Sequence, residues 1–419
     1  MQIADIFALV AGPDFPVEFT AYDGSRTGQP GAPVRVEVRR PRAMSYFAAS
    51  PGQLGLARGY VAGDLEIHGD LHAALTLLWD IKNRPVSVQD KARIARELAP
   101  YLLKREAPPP EEAHVSGWRQ HTRRRDAAAI HHHYDVSNRF YAWVLGPSMA
   151  YTCAVYPDAD ASLEQAQEEK FDLVCRKLAL RPGMRLLDVG CGWGGMVMHA
   201  VKNYGVTAIG ATLSQQQAEW AQQGIADAGL QDRAEVRFCD YRDVPESDFD
   251  AISSIGLTEH IGKANYPSYF ASLHRKLRPG GRLLNHSITR ADDKGKTQYR
   301  GGFINRYVFP DGELTGPAAV LTAMTGEGFE LRHSENLREH YALTLRAWGD
   351  NLEENWAAAV DEVGIRRARI WRLYMAASRM GFDRNMIQLH QFLAVKPHED
   401  GRSDVELRLD FERARNRLN

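Results

Sequence analysis

The sequence predicts an α/β fold: a Rossmann-like, mainly parallel sheet with helices on both faces and a helical insertion, preceded by a smaller mixed α/β, mainly helical domain. Three observations predict it. From about residue 185, short apolar runs alternate with longer helical segments, which is how a parallel sheet is built. The first of these runs enters a glycine-rich loop, LLDVGCGWGG at 186–195, that leaves into a helix. Ahead of both, KREAPPPEEAHVSGWRQHTRRR at 104–125 is rich in proline and charge and poor in aliphatic residues, so it separates two units. With 419 residues, at roughly 100–200 per domain, two or three domains are expected.

Taken in order, residues 34–38 (VRVEV) alternate like a strand, and 71–78 and 88–103 have helical periodicity. The sheet strands are expected at 185–189, 207–212, 235–239, 249–255 and 281–288, with later ones near 329–337 and 391–395. Residues 299–379 are largely helical or irregular, longer than a plain βα connection, and suit a lid or a substrate-binding wall. The division expected is 1–103, N-terminal domain; 104–128, linker; 129–397, catalytic domain; and 398–419, a polar tail.

Composition narrows the function classes. Lys plus Arg is 52 and Asp plus Glu is 53, and a net charge of -1 provides no global basic field, so no nucleic-acid partner is expected. No apolar run reaches the ~18–20 residues of a membrane span, and residues 1–15 lack the basic stretch of a secretory signal, so a cytoplasmic location is expected. Cys153, Cys175, Cys191 and Cys239 are too few and too scattered for a disulfide framework and form no CxxC pair; they read as reduced thiols, with no metal site.

Gly190, Gly192 and Gly195 have the G-x-G-x-x-G spacing that brings a nucleotide close to backbone. A dinucleotide site also needs a carboxylate ending the second strand, and here that strand ends in Ile209-Gly210-Ala211-Thr212. Asp188 instead precedes the loop, and Cys239-Asp240-Tyr241 closes the third strand. That arrangement suits a nucleoside with a sulfonium tail, S-adenosyl-L-methionine (SAM), better than a pyrophosphate. In TLSQQQ at 212–217, Ser214 is a helix N-cap and Gln217 is placed to reach a ribose hydroxyl.

Five segments in order, HHHYDVSNRFY at 131–141, MAYTCAVY at 149–156, LLDVGCGWGG, ATLSQQQ at 211–217 and GLTEHIG at 256–262, resemble the cyclopropane fatty acid synthases and the mycolic acid cyclopropane synthases. LGLARGYVAGDLEIHGDL at 54–71 looks like the N-terminal domain of the full-length members. The resemblance implies a SAM-dependent methyltransferase that adds a one-carbon unit to the cis double bond of an unsaturated acyl chain, in the full-length branch on membrane phospholipid. It carries over Tyr151, Thr152, Gly190, Gly192, Thr212, Leu213, Gln217, Asp240 and Tyr241 as the SAM site. It also implies a bicarbonate held as base by the Cys153 thiol, Glu259, His286, the Ile288 backbone and Tyr341. Taken singly, His286 is an ordinary core histidine, Glu259 a helix-start carboxylate and Cys153 a small buried hydrophobe.

Two departures bear on the product. Ser137 stands where those enzymes tend to have glycine, and Thr258 precedes Glu259 where a bulky apolar residue is usual. A small polar neighbour reshapes the cavity around a cation, so a cyclopropane and a methylene-branched chain, as on the route to tuberculostearic acid, both stay open. The expected partner is the unsaturated acyl chain of a phospholipid at the inner face of the plasma membrane, met peripherally. Arg119, Arg123, Arg124 and Arg125, or GIRRARIWRLY at 364–374 with Arg366, Arg369 and Arg372, would face lipid phosphates. For that second stretch, a helix face packed on the core is an equal expectation. The N-terminal unit is a candidate for lipid docking or for contacts in a homo-oligomer. The competing readings are a methyltransferase of a small metabolite, RNA or protein, and a SAM- or lipid-binding module without catalysis.

Overall fold

The computed structural model describes residues 1–12, 14–81, 84–104, 106–113, 136–294, 302–310 and 312–411. Arg119, Arg123, Arg124 and Arg125, the first half of the 131–141 motif and the end of the polar tail lie outside the described residues. The chain divides into two compact units.

The first unit comprises Met1–Gly117, Tyr299–Pro310 and Trp348–Gly381. Residues 299–310 and 348–381, which lie within the span 129–397, thus pack with the N-terminal segment. Its sheet has β1 (Glu18–Ala21), β2 (Arg26–Gly28), β3 (Arg35–Val38) and β4 (Leu65–His68) in the order β2-β1-β3-β4, with β1 parallel to β3 and the other pairs antiparallel. β3 buries Val36 and Val38 and leaves Arg35 and Glu37 partly exposed, the alternation its sequence shows. Helices follow at Leu71–Ile81 and Val88–Leu102.

The helix Ile365–Asp383 shows the second of the two expectations for its arginines, a face packed within its own unit. Arg366 donates to Glu111 at 2.7 Å, Arg369 to the Tyr60 carbonyl at 2.7 Å and to Glu66, and Arg372 to Glu353 at 2.9 Å. Ile370, Trp371 and Tyr374 are buried. The arginines neutralise carboxylates of their own unit, and the apolar residues between them face its core.

The second unit comprises Trp118–Gln298, Asp311–Ala347 and Phe382–Asn419. Its sheet holds β5 (Arg185–Val189), β6 (Thr207–Thr212), β7 (Ala234–Phe238), β8 (Phe249–Ile255), β9 (Leu277–Arg290), β10 (Glu330–Asn336) and β11 (Ile387–Val395) in the order β10-β11-β9-β8-β5-β6-β7. The run from β9 to β7 is parallel, and β11 and β10 add antiparallel. Successive residues of a strand face opposite sides. Accordingly Leu186 joins one core, with Val174, Val197 and Val236, and Leu187 the other, with Ile252, Phe270 and Leu283. The chain leaves β5 for β6 on one side and reaches β8 on the other, which opens a crevice at the carboxyl ends of these strands.

Candidate active site

The crevice is shaped by the turn after β5. Gly190 has φ +74°, a left-handed backbone that a side chain would strain, and its N–H and that of Cys191 donate to the Ala211 carbonyl at 2.9 and 3.1 Å. At Gly194, φ +79°, an added Cβ would stand 2.9 Å from the Ala221 Cβ. The helix Gly195–Tyr204 starts directly behind. Trp193 in the turn donates through Nε1 to Asn138 at 2.9 Å and packs on Tyr141, whose ring is also 5.8 Å from that of Tyr151. Ser137 caps the helix Asn138–Leu145 by accepting from the Phe140 amide at 3.2 Å, a hydrogen bond that glycine lacks.

A cavity of about 510 Å³ lies over the turn, and Tyr151, Thr152, Asp188, Gly190, Gly192, Thr212, Leu213, Gln217, Asp240 and Tyr241 all line it. Asp188 is buried, accepts from Ser253 at 2.6 Å and has its carboxyl pushed up to about 6 by burial. Thr212 donates to Gln217 Oε1 at 2.8 Å, which leaves the NH2 end of that amide to serve a ligand hydroxyl. Ser214 accepts from the Gln217 amide at 3.4 Å, the cap the sequence indicates. Asp240 accepts from the amide and Nε of Arg242 at 2.9 and 2.7 Å. A backbone cradle beside a buried carboxylate and an amide donor fits a nucleoside that carries an amino acid.

The segment with Tyr151, Thr152 and Cys153 is held from two helices. From Leu163–Lys177, Gln167 donates to the Ala150 and Thr152 carbonyls at 3.3 and 2.9 Å, and Lys170 Nζ to Thr152 Oγ1 at 3.0 Å. From Arg338–Glu354, Thr344 accepts from the Ala154 amide and His340 Nδ1 from the Tyr156 amide, both at 3.0 Å. Lys170 itself lines the cavity, is 1% exposed, and burial pushes its ammonium down to about 7.

Behind this cavity lies a second group. Gly256, which lines the cavity, donates through its amide to the His286 carbonyl at 2.8 Å. On β9, His286 and Ile288 share a face, and the Ile288 amide donates to Glu259 Oε1 at 2.5 Å. The Ile288 N–H therefore anchors Glu259. Both Glu259 and His286 are buried, and Glu259 Oε2 and His286 Nε2 make no hydrogen bond among the described residues. Burial pushes the Glu259 carboxyl up to about 7, and burial with the nearby Lys170 and Lys177 charges holds the His286 imidazole well below its ordinary value. Cys153 Sγ and the Tyr341 amide approach the same carbonyl, Leu337, at 3.8 and 3.2 Å. Leu337 in turn donates to Leu389, the register partner of Ile288. Backbone hydrogen bonds thus tie Leu337, which Cys153 and the start of the helix Arg338–Glu354 share, to β11 beside β9. Burial pushes the Cys153 thiol up, so it stays protonated.

The Thr258 hydroxyl donates to Asn285 Oδ1 at 2.7 Å. Sequence reasoning missed Lys170, Lys177 and Gln391. The helix Leu163–Lys177 carried a signal, because Ala166, Lys170, Val174 and Lys177 fall on one helical stripe and all are buried.

A profile of the mycolic acid cyclopropane synthetase family matches residues 121–392. The chain is 54% identical over 420 residues to the probable fatty acid methyltransferase Rv3720 of Mycobacterium tuberculosis, covering 97% of each. It is 36% identical to the cyclopropane-fatty-acyl-phospholipid synthase of Escherichia coli, over 64% of this chain and 68% of that one. The cyclopropane synthase MmaA2 of Mycobacterium tuberculosis superposes with a TM-score of 0.61 at 32% identity, over 64% of this chain and 97% of its own. CmaA1 in complex with SAH and CTAB gives a TM-score of 0.60 at 33% identity, with the same coverage of both chains. The chain is thus a SAM-dependent methyltransferase with the fold of the cyclopropane synthases, and it belongs to the mycolic acid cyclopropane synthetase family.

Proposed function

We propose that this enzyme adds a methyl carbon from SAM to the cis double bond of an unsaturated phospholipid acyl chain, and that a bound bicarbonate removes the proton. The product is a cyclopropane or a methylene-branched chain. The relatives support the lipid substrate by the activities they are named for, fatty acid methylation and cyclopropane-fatty-acyl-phospholipid synthesis. One observation carries the anion: Glu259 Oε2 and His286 Nε2 are buried polar atoms without partners among the described residues, and the His286 carbonyl is bonded to Gly256 of the cavity lining.

SAM supplies an electrophilic methyl on sulfur. The alkene forms a carbon–carbon bond to it as the carbon–sulfur bond breaks, which leaves a cation on the other alkene carbon. Loss of a proton from the new methyl closes a ring. Loss from the branched carbon's methyl after a hydride shift leaves a methylene. The chain's residues exclude water, which would quench the cation, and fix the base. His286 Nε2 and the Tyr341 hydroxyl donate to the anion, while Glu259 accepts from its protonated oxygen. Cys153, held as a thiol, contributes a neutral contact. Asp188, Gln217, Asp240 and the Gly190–Gly192 backbone hold the nucleoside and its amino acid.

Among the described residues no helix is long and apolar enough to cross a membrane. The phospholipid substrate places the enzyme at the cytoplasmic face of the bilayer, peripherally, where it draws one acyl chain inward. Incubation with SAM and vesicles of dioleoyl phospholipid, followed by mass spectrometry of the acyl chains, should show a gain of about fourteen mass units. Fragmentation tells ring from branch. Removal of dissolved carbon dioxide should slow the reaction and added bicarbonate restore it. Glu259→Ala or His286→Ala should abolish turnover and spare SAM binding. No mass gain sinks the lipid reading, and a rate indifferent to bicarbonate sinks the base.

A further inference from the structure

Three adjacent strands set Glu335, Gln391 and His286 side by side: Gln391 is the register partner of His286 on one flank and of Glu335 on the other. Lys177, from the last turn of its helix, closes on this row. Its ammonium donates to Gln391 Oε1 at 2.7 Å and to Glu335, and Gln391 Nε2 lies 3.1 Å from His286 Nδ1. Lys177, Gln391 and His286 are all fully buried.

The chemistry of the donors fixes the direction of every bond. An ammonium has only protons to give, so the oxygen end of the Gln391 amide faces Lys177. The NH2 end then faces the imidazole, and Nδ1 accepts. A neutral imidazole that accepts at Nδ1 carries its proton on Nε2. That nitrogen is the buried one without a partner among the described residues.

We propose that Lys177 and Gln391 lock His286 in the Nε2–H tautomer, so that the ring meets its ligand as a hydrogen-bond donor and does not take up the reaction's proton. The identity of that ligand rests on the bicarbonate reading above; the tautomer does not. A carboxylate behind the ring would favour the imidazolium and turn His286 into a base. A neutral amide backed by an ammonium does the reverse. The proton removed from the substrate therefore ends on the anion. Lys177 and Gln391 are positioning residues, since they act through the ring.

The test is nitrogen-15 NMR of full-length protein labelled at histidine, with the His286 signals identified by their loss in His286→Gln. The wild type should show a protonated Nε2 and an unprotonated Nδ1. Gln391→Glu keeps the size and the Lys177 contact but puts an acceptor behind Nδ1. It should move the proton to Nδ1 or create the imidazolium, and kcat should fall at least about tenfold while the KM for SAM stays within about twofold. Lys177→Met, which frees the amide to turn over, should give a mixture of the two tautomers and an intermediate kcat. A wild-type ring protonated on Nδ1 overturns the proposal, and so does a switched ring with kcat unchanged. A rate indifferent to bicarbonate beside an intact Nε2–H ring counts against the anion alone.

Discussion

Glu259 is 8% exposed, with one oxygen on the Ile288 amide and a carboxyl pushed up to about 7 by burial. Burial thus penalises its ionised form, the form that accepts from the anion, which is populated above about pH 7. An acid whose folded value lies above its unfolded value of 4.5 contributes stability that is present below about pH 4.5 and lost as pH rises through about 7. Each unit is worth about 1.4 kcal/mol, so near pH 8 the ionised carboxylate costs the fold about 3 kcal/mol. Glu259→Gln keeps an acceptor for the Ile288 amide and removes the charge. It should raise the Tm near pH 8, with the gain shrinking toward about pH 5, and it should abolish turnover. A Gln variant less stable than wild type near pH 8, read by thermal unfolding across pH, contradicts this account. The sequence could name Glu259 and His286 only through their motif neighbourhood. Lys170 and Lys177 were hidden because a lysine reads as surface, and only the fold shows them on the buried stripe of their helix.

At the scale of elements, the central strands were legible because each is a short, mostly buried apolar run between turn signals. Strands β5, β6 and β8 lie where periodicity puts them. Strands β1, β2 and β4, three or four residues long, were not picked out, whereas β3, equally short, was, on the alternation of VRVEV. The helix Ile365–Asp383 shows a different limit. Arginines three residues apart mark one helical face, and that spacing is the same whether the face meets phosphates or carboxylates. The carboxylates are 255 and 303 residues away in the chain, beyond the reach of local pattern. Arg369 should therefore act on stability. Arg369→Gln leaves Glu66 short of a partner in a half-dry contact and should lower stability by about 1.5–3 kcal/mol, whereas Arg366→Gln, on an exposed pair, should change it by less than about 1 kcal/mol. Neither should alter sedimentation with anionic vesicles; reduced vesicle binding in a well-folded Arg369→Gln protein would return this helix to the bilayer.

The whole molecule is assembled from a chain that enters its first unit three times, at Met1–Gly117, Tyr299–Pro310 and Trp348–Gly381. The pieces are joined by polar contacts with little access to water. Tyr307, 5% exposed, donates to Glu112 at 3.1 Å, Glu112 also takes both arms of Arg58 at 2.7 Å, and the Ala113 amide donates to the Arg306 carbonyl at 2.7 Å. Arg369 reaches the Tyr60 carbonyl and Glu66 from the third piece. A chain that begins at Trp118 keeps Tyr307 and Arg369 and loses all of these partners. Each orphaned group costs about 1–3 kcal/mol, against a total stability of about 5–15 kcal/mol for a typical domain, and apolar residues such as Trp371 and Tyr374 are put at risk of exposure in the same step. Deletion of Met1–Gly117 should therefore lower the Tm by several degrees or cause aggregation. The cavity over the turn after β5, lined wholly by residues of the second unit, should keep the affinity for SAM proposed for it in whatever fraction stays folded. Size-exclusion chromatography and titration calorimetry with SAM on the same preparation separate the two effects: a monodisperse truncated chain with the Tm of the full protein would show that the three pieces do not depend on one another.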